Sequence, residues 1–207
     1  EVFNKAGFQT TWLTNQNLLG VWDNKVSLIA NQADKIIPIN SSIGKTTKTQ
    51  SYDGDLISYL NKELKLKTDR NKIIFVHLMG NHGNYCSRFT SDFRFFKEAL
   101  DLSVFGTKLS SATKHRQNGI NCYDNSVLYN DYVVGQMLNE VRNAGGKTAF
   151  LYMGDHADDV LAGLGHNSSK FTFDMTQIPM LAWLSEEFKE AYNSKARLFE
   201  SRLNTLF

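Results

Sequence analysis

The sequence predicts an α/β fold with a mostly parallel central sheet sandwiched by helices. Short apolar runs alternate along the 207 residues with segments whose apolar residues recur at helical spacing, and this alternation is typical of sheets built from strand, helix and strand units. The run KIIFVHLMG at 72–80 is almost continuously apolar, as strands buried on both faces are. A chain of this length with 42% hydrophobic residues is expected to form one domain.

The first half of the chain contains three predicted strands and three predicted helical segments. The strands are at 8–15, 35–40 and 72–80, and the helices are at 1–7, 26–34 and 56–66. Gly7 is the expected stop of the first helix. Pro38 places its strand at a sheet edge or a strand end, because proline cannot donate to a β-ladder. The polar stretch 41–55 is a predicted loop in which Asp53 or Asp55 caps the following helix.

The second half begins with a polar segment at 97–121, which is predicted to be a loop. A helix follows at 126–146, where apolar residues recur at helical spacing and the double glycine Gly145-Gly146 ends the pattern. The remaining elements are a strand at 147–154, a loop, a strand at 177–185 and two terminal helices.

The charge balance excludes several classes of partner. Lys and Arg total 23 against 21 Asp and Glu, a formal charge of +2, and so small an excess favours neither nucleic acid nor an anionic membrane surface. No apolar run approaches the ~20 residues of a membrane span, so the residues given are expected to be soluble. The two cysteines, Cys86 and Cys122, leave a disulfide and two free thiols almost equally open.

Metal-binding residue types follow two of the predicted strands. His82 comes just after the strand at 72–80, and Asp155 and His156 come just after the strand at 147–154. Ligands of α/β sheets collect beyond the carboxyl ends of the strands, and His166 could return to the same place from the next loop. Asp and neutral His are common zinc ligands. The sequence therefore predicts a metal site formed by Asp155, His156, His166 and His82.

Other histidines and acids nearby have simpler interpretations. His77 within a strand and His115 in the polar loop are interpreted as structural residues. Asp158 and Asp159 are interpreted as solvated groups or a helix cap.

Several sequence blocks together resemble one enzyme family. They are AGFQTTWLTNQ (6–16), HLMGNHGNYCSRF (77–89), NCYDNSVLYNDYVV (121–134), FLYMGDHADDVLAGLGH (150–166) and IPMLAWLSEEF (178–188). In this order they resemble the periplasmic catalytic domain of bacterial phosphoethanolamine transferases, in the sulfatase-like branch of the alkaline phosphatase superfamily. The resemblance covers essentially the whole chain.

The resemblance implies a zinc-dependent enzyme with one or two Zn²⁺ ions. Such an enzyme transfers phosphoethanolamine from phosphatidylethanolamine to a lipid A or core sugar of lipopolysaccharide, through a phosphorylated threonine. By position, Asp155 and His156 match the pair that binds the principal zinc. His82 and His166 match histidines that hold a second zinc or the transferred phosphoryl group, and either could protonate the leaving group. Asn15 or Gln16 matches a segment near the substrate phosphate.

The same resemblance implies that residues 1–207 are a fragment of the catalytic domain. The family's threonine nucleophile and first acidic zinc ligand lie on segments before the helix in which Glu1 falls. We therefore expect these residues alone to be inactive, and an anchor in the inner membrane to belong to the intact protein. Ala157-Asp158 and Asn167 depart from the glycine-glutamate and glycine that the family usually has there. In a periplasmic domain, a Cys86–Cys122 bridge would hold the turn after His82 to the following helix.

Alternative functions remain within and outside the enzyme class. A phosphodiesterase, sulfatase or glycerophosphate transferase of the same superfamily would have the same metal residues, because these do not identify the acceptor. A non-catalytic metal-binding relative would lack the nucleophile. The sequence before Glu1 would distinguish these possibilities.

Overall fold

The structure is a computed structural model that describes residues 1–18, 24–40, 51–98 and 114–202. Its contacts divide the chain into two compact units, residues 1–137 and 138–207. The assignment of the whole chain to one catalytic domain stays a prediction.

A three-stranded parallel sheet forms the centre of the first unit. Its strands are β1 (Gln9–Thr14), β2 (Lys35–Pro38) and β3 (Lys72–His77), in the order β2-β1-β3. Thr14 pairs with Pro38 on one side and with His77 on the other. Pro38 therefore ends an edge strand, as its missing N–H predicts.

Helices surround this sheet. They are α1 (Val2–Lys5), α2 (Asn24–Ala30), α3 (Leu56–Lys65) and the first part of α4 (Lys114–Ala144). Leu56 and Leu60 are the buried apolar residues of α3, and Leu13 of β1 is fully buried. The same helix buries Glu63, whose carboxylate accepts hydrogen bonds from Lys35 Nζ at 2.6 Å and Thr11 Oγ1 at 3.3 Å. These partners satisfy a charge that burial alone would destabilise.

A two-stranded antiparallel sheet forms the centre of the second unit. β4 (Ala149–Met153) pairs with β5 (Met180–Leu184), and α5 (Glu186–Ala191) and α6 (Asn193–Glu200) follow. Ser185 joins strand and helix: its Oγ accepts from Phe188 N at the start of α5 at 3.1 Å and donates to Gly146 O at 2.8 Å. A serine at this position replaces a hydrogen bond that the first helical turn cannot make itself.

The predicted α/β class with a parallel sheet is confirmed, but three local expectations differ from the structure. β3 is not buried on both faces: it lies at an edge of the described sheet, and each of its residues is only partly buried. Within the described ranges, β4 belongs to an antiparallel pair rather than to the sheet of β3. α4 begins at Lys114, so His115 lies in a helix and not in a loop; its side chain is outside the described part. The mostly polar sequence at 114–125 does not predict a helix there, although Ile120 and Cys122 are buried. The predicted loop at 41–50 lies outside the described residues.

None of the helices in the described ranges is long and apolar enough to cross a membrane.

Candidate active site

The loop after β4 brings two histidines together. β4 ends at Met153, and after it Ala157 N donates to Met175 O at 2.9 Å. Asp159 is buried and closes the loop: its N–H donates to Gly165 O at 2.8 Å, and its Oδ1 accepts from Ala162 N at 2.8 Å. Gly165 has φ of +57°, a conformation that costs glycine little. This turn returns the chain to the side of His156.

His156, Asp158 and His166 form a compact cluster. The ring centroids of the two histidines are 4.1 Å apart. Asp158 Oδ1 lies 2.8 Å from His166 Nδ1 and 3.9 Å from His156 Nδ1. One ligand atom from each residue lies within 4.8 Å of the other two, and no other group of three His, Cys, Asp or Glu residues in the described ranges meets this condition.

The donor set of the cluster fits zinc. Two imidazole nitrogens and a carboxylate are ordinary zinc ligands at about 2.0–2.2 Å, and a catalytic site uses three protein ligands and leaves a position open. The side chains of His156 and His166 are 38% and 52% exposed, whereas that of Asp158 is 8% exposed. Asp158 Oδ1 is at hydrogen-bond distance from His166 Nδ1, whereas His156 Nδ1 lies 3.3 Å from the carbonyl oxygen of Ala157. A carboxylate next to the Nδ1 of a histidine is the arrangement found where it orients a metal-binding ring.

Asp155 is outside this group of three but adjacent to it. Its side chain is 93% exposed, and its Oδ2 lies 4.0 Å from His156 Nε2. Two atoms that each bind one zinc at about 2.1 Å can be at most about 4.2 Å apart, so this separation is compatible with a shared ion. The assignment of Asp155 as a ligand stays a prediction.

His82 lies in the first unit, in the turn that follows β3. Its backbone N–H donates to Met79 O at 3.1 Å, and its carbonyl accepts from Arg88 Nε at 2.9 Å. The imidazole is exposed. His156, His166 and Asp155 belong to the second unit, and the sharing of one metal centre among all four residues stays a prediction.

Asn15 and Gln16 lie at the carboxyl end of β1. Asn15 is 2% exposed; its Nδ2 donates to Asp53 Oδ1 at 2.8 Å and its Oδ1 accepts from Ser51 Oγ at 2.6 Å. Gln16 is partly exposed, and its Nε2 donates to Leu78 O at 3.3 Å. Of the two, Gln16 is the better placed to contact a ligand.

A shallow polar depression is lined by Asn15, Asp53 and Arg88, among others. Burial lowers the pKa of Arg88 from its ordinary value, and the nearby carboxylate of Asp53 opposes that shift. The two charges partly compensate each other.

Cys86 and Cys122 form a disulfide with Sγ atoms 2.06 Å apart. Cys86 is in the short 3-10 turn Tyr85–Ser87, and Cys122 is in α4. The rings of Tyr85 and Tyr123 pack edge to face beside the bridge, with centroids 5.1 Å apart. Of the two alternatives left open by the sequence, the structure contains the bridge, which ties the His82 turn to α4.

Sequence reasoning missed two acidic residues of this region. Asp158 was interpreted as a solvated group or a cap, and Asp53 as a cap, yet both are buried against polar partners. Asp158 had a usable signal, because it lies two residues after His156 in a loop that returns to His166. Asp53 had none, because its partners are distant in sequence.

Comparison with known proteins gives a consistent family assignment. A family model described as sulfatase matches residues 1–204. The chain is 26% identical over 204 residues to phosphoethanolamine transferase EptC of Escherichia coli, covering 92% of this chain and 33% of that protein. It is 27% identical over 199 residues to phosphoethanolamine transferase EptA of Helicobacter pylori, covering 88% of this chain and 36% of that protein. The chain thus spans about a third of the length of these relatives.

Solved structures show the same fold. The C-terminal periplasmic domain of Escherichia coli EptC, in complex with zinc, aligns with a TM-score of 0.78 at 25% identity, covering 92% of this chain and 52% of that one. The integral membrane lipooligosaccharide phosphoethanolamine transferase A of Neisseria meningitidis aligns with a TM-score of 0.69 at 21% identity, covering 97% and 36%. The second match bears on the fold alone.

Proposed function

Because this chain belongs to the sulfatase family, we propose that it forms part of the periplasmic catalytic domain of a zinc-dependent phosphoethanolamine transferase. The intact protein is anchored in the inner membrane and moves phosphoethanolamine from phosphatidylethanolamine to a lipid A or core sugar of lipopolysaccharide. The relatives named phosphoethanolamine transferases support this choice within the family.

The cluster of His156, Asp158 and His166 is the observation that carries the proposal. It gathers nitrogen and carboxylate donors in one loop of the second unit, and the solved EptC domain that shares this fold was crystallised with zinc. We assign one zinc to His156 and His166, with Asp155 as a further ligand and Asp158 as the carboxylate that orients the ring of His166. His82 is assigned to a second zinc or to the transferred phosphoryl group.

The chemistry is a double displacement at phosphorus. A threonine hydroxyl attacks the phosphodiester and the bond to the diacylglycerol oxygen breaks, after which the acceptor oxygen attacks and the bond to threonine breaks. Zinc supplies Lewis-acid stabilisation of negative charge on the oxygens of the transferred group. Within this chain, His82 donates a proton to the leaving oxygen and Gln16 orients the phosphate. Positioning of this kind accounts for much of the rate in phosphoryl transfer.

The threonine nucleophile and a first acidic ligand are not assigned to any residue of this chain. We propose that residues 1–207 alone do not transfer phosphoethanolamine and that the intact protein does. The support is that the chain spans only about a third of the length of relatives with this activity in their names.

A transfer assay tests this proposal. The intact protein in phosphatidylethanolamine vesicles containing lipid A should form phosphoethanolamine-modified lipid A, detected by mass spectrometry. His156→Ala should abolish the product, whereas Asp174→Ala, a change at an exposed acid of the same unit, should not. Release of free phosphoethanolamine without modified lipid A would indicate a phosphodiesterase instead, and activity of residues 1–207 alone would contradict the assignment of the nucleophile elsewhere.

A further inference from the structure

One buried carboxylate ties together the carboxyl ends of β1 and β3. Asp53 is 5% exposed. Its Oδ1 accepts from Asn15 Nδ2 at 2.8 Å and from Met79 N at 3.0 Å, and its Oδ2 accepts from Gly80 N at 2.8 Å. Hydrogen bonds to an ionised acceptor are about twice as strong as neutral ones. Both oxygens of Asp53 are therefore committed to the two strand ends.

This role is not that of a helix cap. Asp53 begins the 3-10 turn Asp53–Asp55, and Asp55 occupies the N-cap position of α3. Gly54 N donates to the Tyr129 hydroxyl at 3.1 Å, which fixes the turn against α4. Asp53 is thus presented to the strand ends from a turn that is itself anchored.

The turn after β3 is held from its other side by Arg88. The guanidinium donates from Nε to His82 O at 2.9 Å and from Nη2 to Gly83 O at 2.8 Å. A carboxylate therefore binds the amides at the start of this turn, and a guanidinium binds the carbonyls at its end. His82 belongs to the second of these attachments, through its own carbonyl oxygen.

Asn15 connects Asp53 to the carboxyl end of β1. It is almost fully buried, and both its amide oxygen and its amide nitrogen have protein partners. The next residue is Gln16, which is partly exposed. Fixing the side chain of Asn15 consequently fixes the backbone from which Gln16 extends.

We propose that Asp53 is a positioning residue of the active site, which sets the location of Gln16 through Asn15 and the location of His82 through Met79 and Gly80. This inference rests on the proposed function, which places those two residues at the transferred phosphate. A catalytic group displaced by about 1 Å can lose about a hundredfold in rate. Replacing Asp53 with Asn exchanges an acceptor oxygen for an NH₂ group, which then faces a donor in either orientation.

Kinetics of the intact protein test the role. Asp53→Asn should lower kcat by about a hundredfold, with the KM for phosphatidylethanolamine within about threefold of wild type, because positioning acts mainly on the transition state. Asp55→Asn is the matched control: it makes the same charge change on the same turn, where the exposed carboxylate accepts from Tyr52 N at 2.9 Å. This control should keep wild-type kinetics. A kcat for Asp53→Asn equal to that of Asp55→Asn would overturn the proposal.

A mutant cycle separates positioning from a general loss of stability. In a protein that already carries Gln16→Ala and His82→Ala, Asp53→Asn should lower kcat by less than about threefold, because residues acting through one another are not additive. A full hundredfold further loss would overturn the proposal. Should Asp53→Asn fail to fold, Ser51→Ala is the second variant, because it removes the hydrogen bond to Asn15 Oδ1. This variant should lower kcat about threefold. An unchanged kcat would equally overturn the proposal.

Amide hydrogen exchange tests whether Asp53 holds the amides of Met79 and Gly80. This measurement does not require transferase activity. In residues 1–207, Asp53→Asn should make the amides of Met79 and Gly80 exchange at least about tenfold faster, while the amide of Leu13 in the centre of β1 stays as in wild type. Unchanged exchange at Met79 and Gly80 would overturn the proposed role of Asp53 but not the proposed function. An intact wild-type protein without transfer activity would overturn the proposed function, and with it the active-site role, even if exchange changes as expected.

Discussion

At the scale of residues, a carboxylate contacts one of the two imidazoles of the proposed zinc site. Asp158 is nearly buried, and its Oδ1 is 2.8 Å from His166 Nδ1. The hydrogen bond selects the ring orientation in which Nε2 faces away from Asp158. The metal-binding capacity of the histidines is therefore expected to depend on a residue that need not bind the metal itself.

Asp158→Asn tests this dependence. The variant keeps the shape of the side chain but loses the charge that orients the ring of His166, so zinc affinity should fall by about 10–100-fold. Isothermal titration of metal-free residues 1–207 measures the change, and Asp174→Asn is the control at an exposed acid in the same unit. An unchanged affinity would remove Asp158 from the site.

The residue types of the site were predictable, but their partners were not. The strand-end rule predicts His82, Asp155 and His156 as site residues, because an apolar run followed by metal-binding residue types is visible in the sequence. The contacts of Asp53 with Asn15 and Gly80 join residues 38 and 27 positions apart, with no local pattern. Such contacts can be predicted only when the order of the strands in the sheet is known.

At the scale of elements, the turn that carries His82 is attached to α4 by a covalent bond. Cys86 and Cys122 are separated by 36 positions. Closing a loop of that length reduces the entropy of the unfolded chain and is expected to stabilise the fold by about 4 kcal/mol. The bridge also opposes local opening of the turn.

Reduction of this bridge is expected to destabilise the protein. Urea unfolding of residues 1–207 with and without reductant should show a loss of about 4 kcal/mol in the free energy of unfolding. The Cys86→Ser/Cys122→Ser variant should show the lower stability in both conditions, which controls for other effects of the reductant. A count of two free thiols in denatured, unreduced protein would contradict the bridge.

The elements themselves were predicted unevenly. β3 was predictable because it is an apolar run of the right length, and α3 because its apolar residues recur at helical spacing. The start of α4 was missed because its first turns are rich in polar residues, some of which are nevertheless buried: Asn121, Asn125 and Ser126. Buried amides and hydroxyls need partners from other segments, and a hydropathy pattern does not contain them.

At the scale of the whole molecule, the family assignment and the α/β class follow from sequence, whereas the pairing of β4 does not. Helices and strands in alternation predict a parallel sheet, and β1, β2 and β3 form one. β4 and β5 are also separated by a long loop, but they pair antiparallel. The alternation of elements specifies the class, and the direction of the last strands depends on packing.

The central claim is that the loop after β4 binds zinc, and a zinc titration of chelator-treated protein tests it most directly. Wild-type residues 1–207 should bind zinc at the cluster, His156→Ala and His166→Ala should each lose that binding, and Asp174→Ala should retain it. Equal zinc binding by wild type and by both histidine variants, or no binding by any of them, would contradict the account.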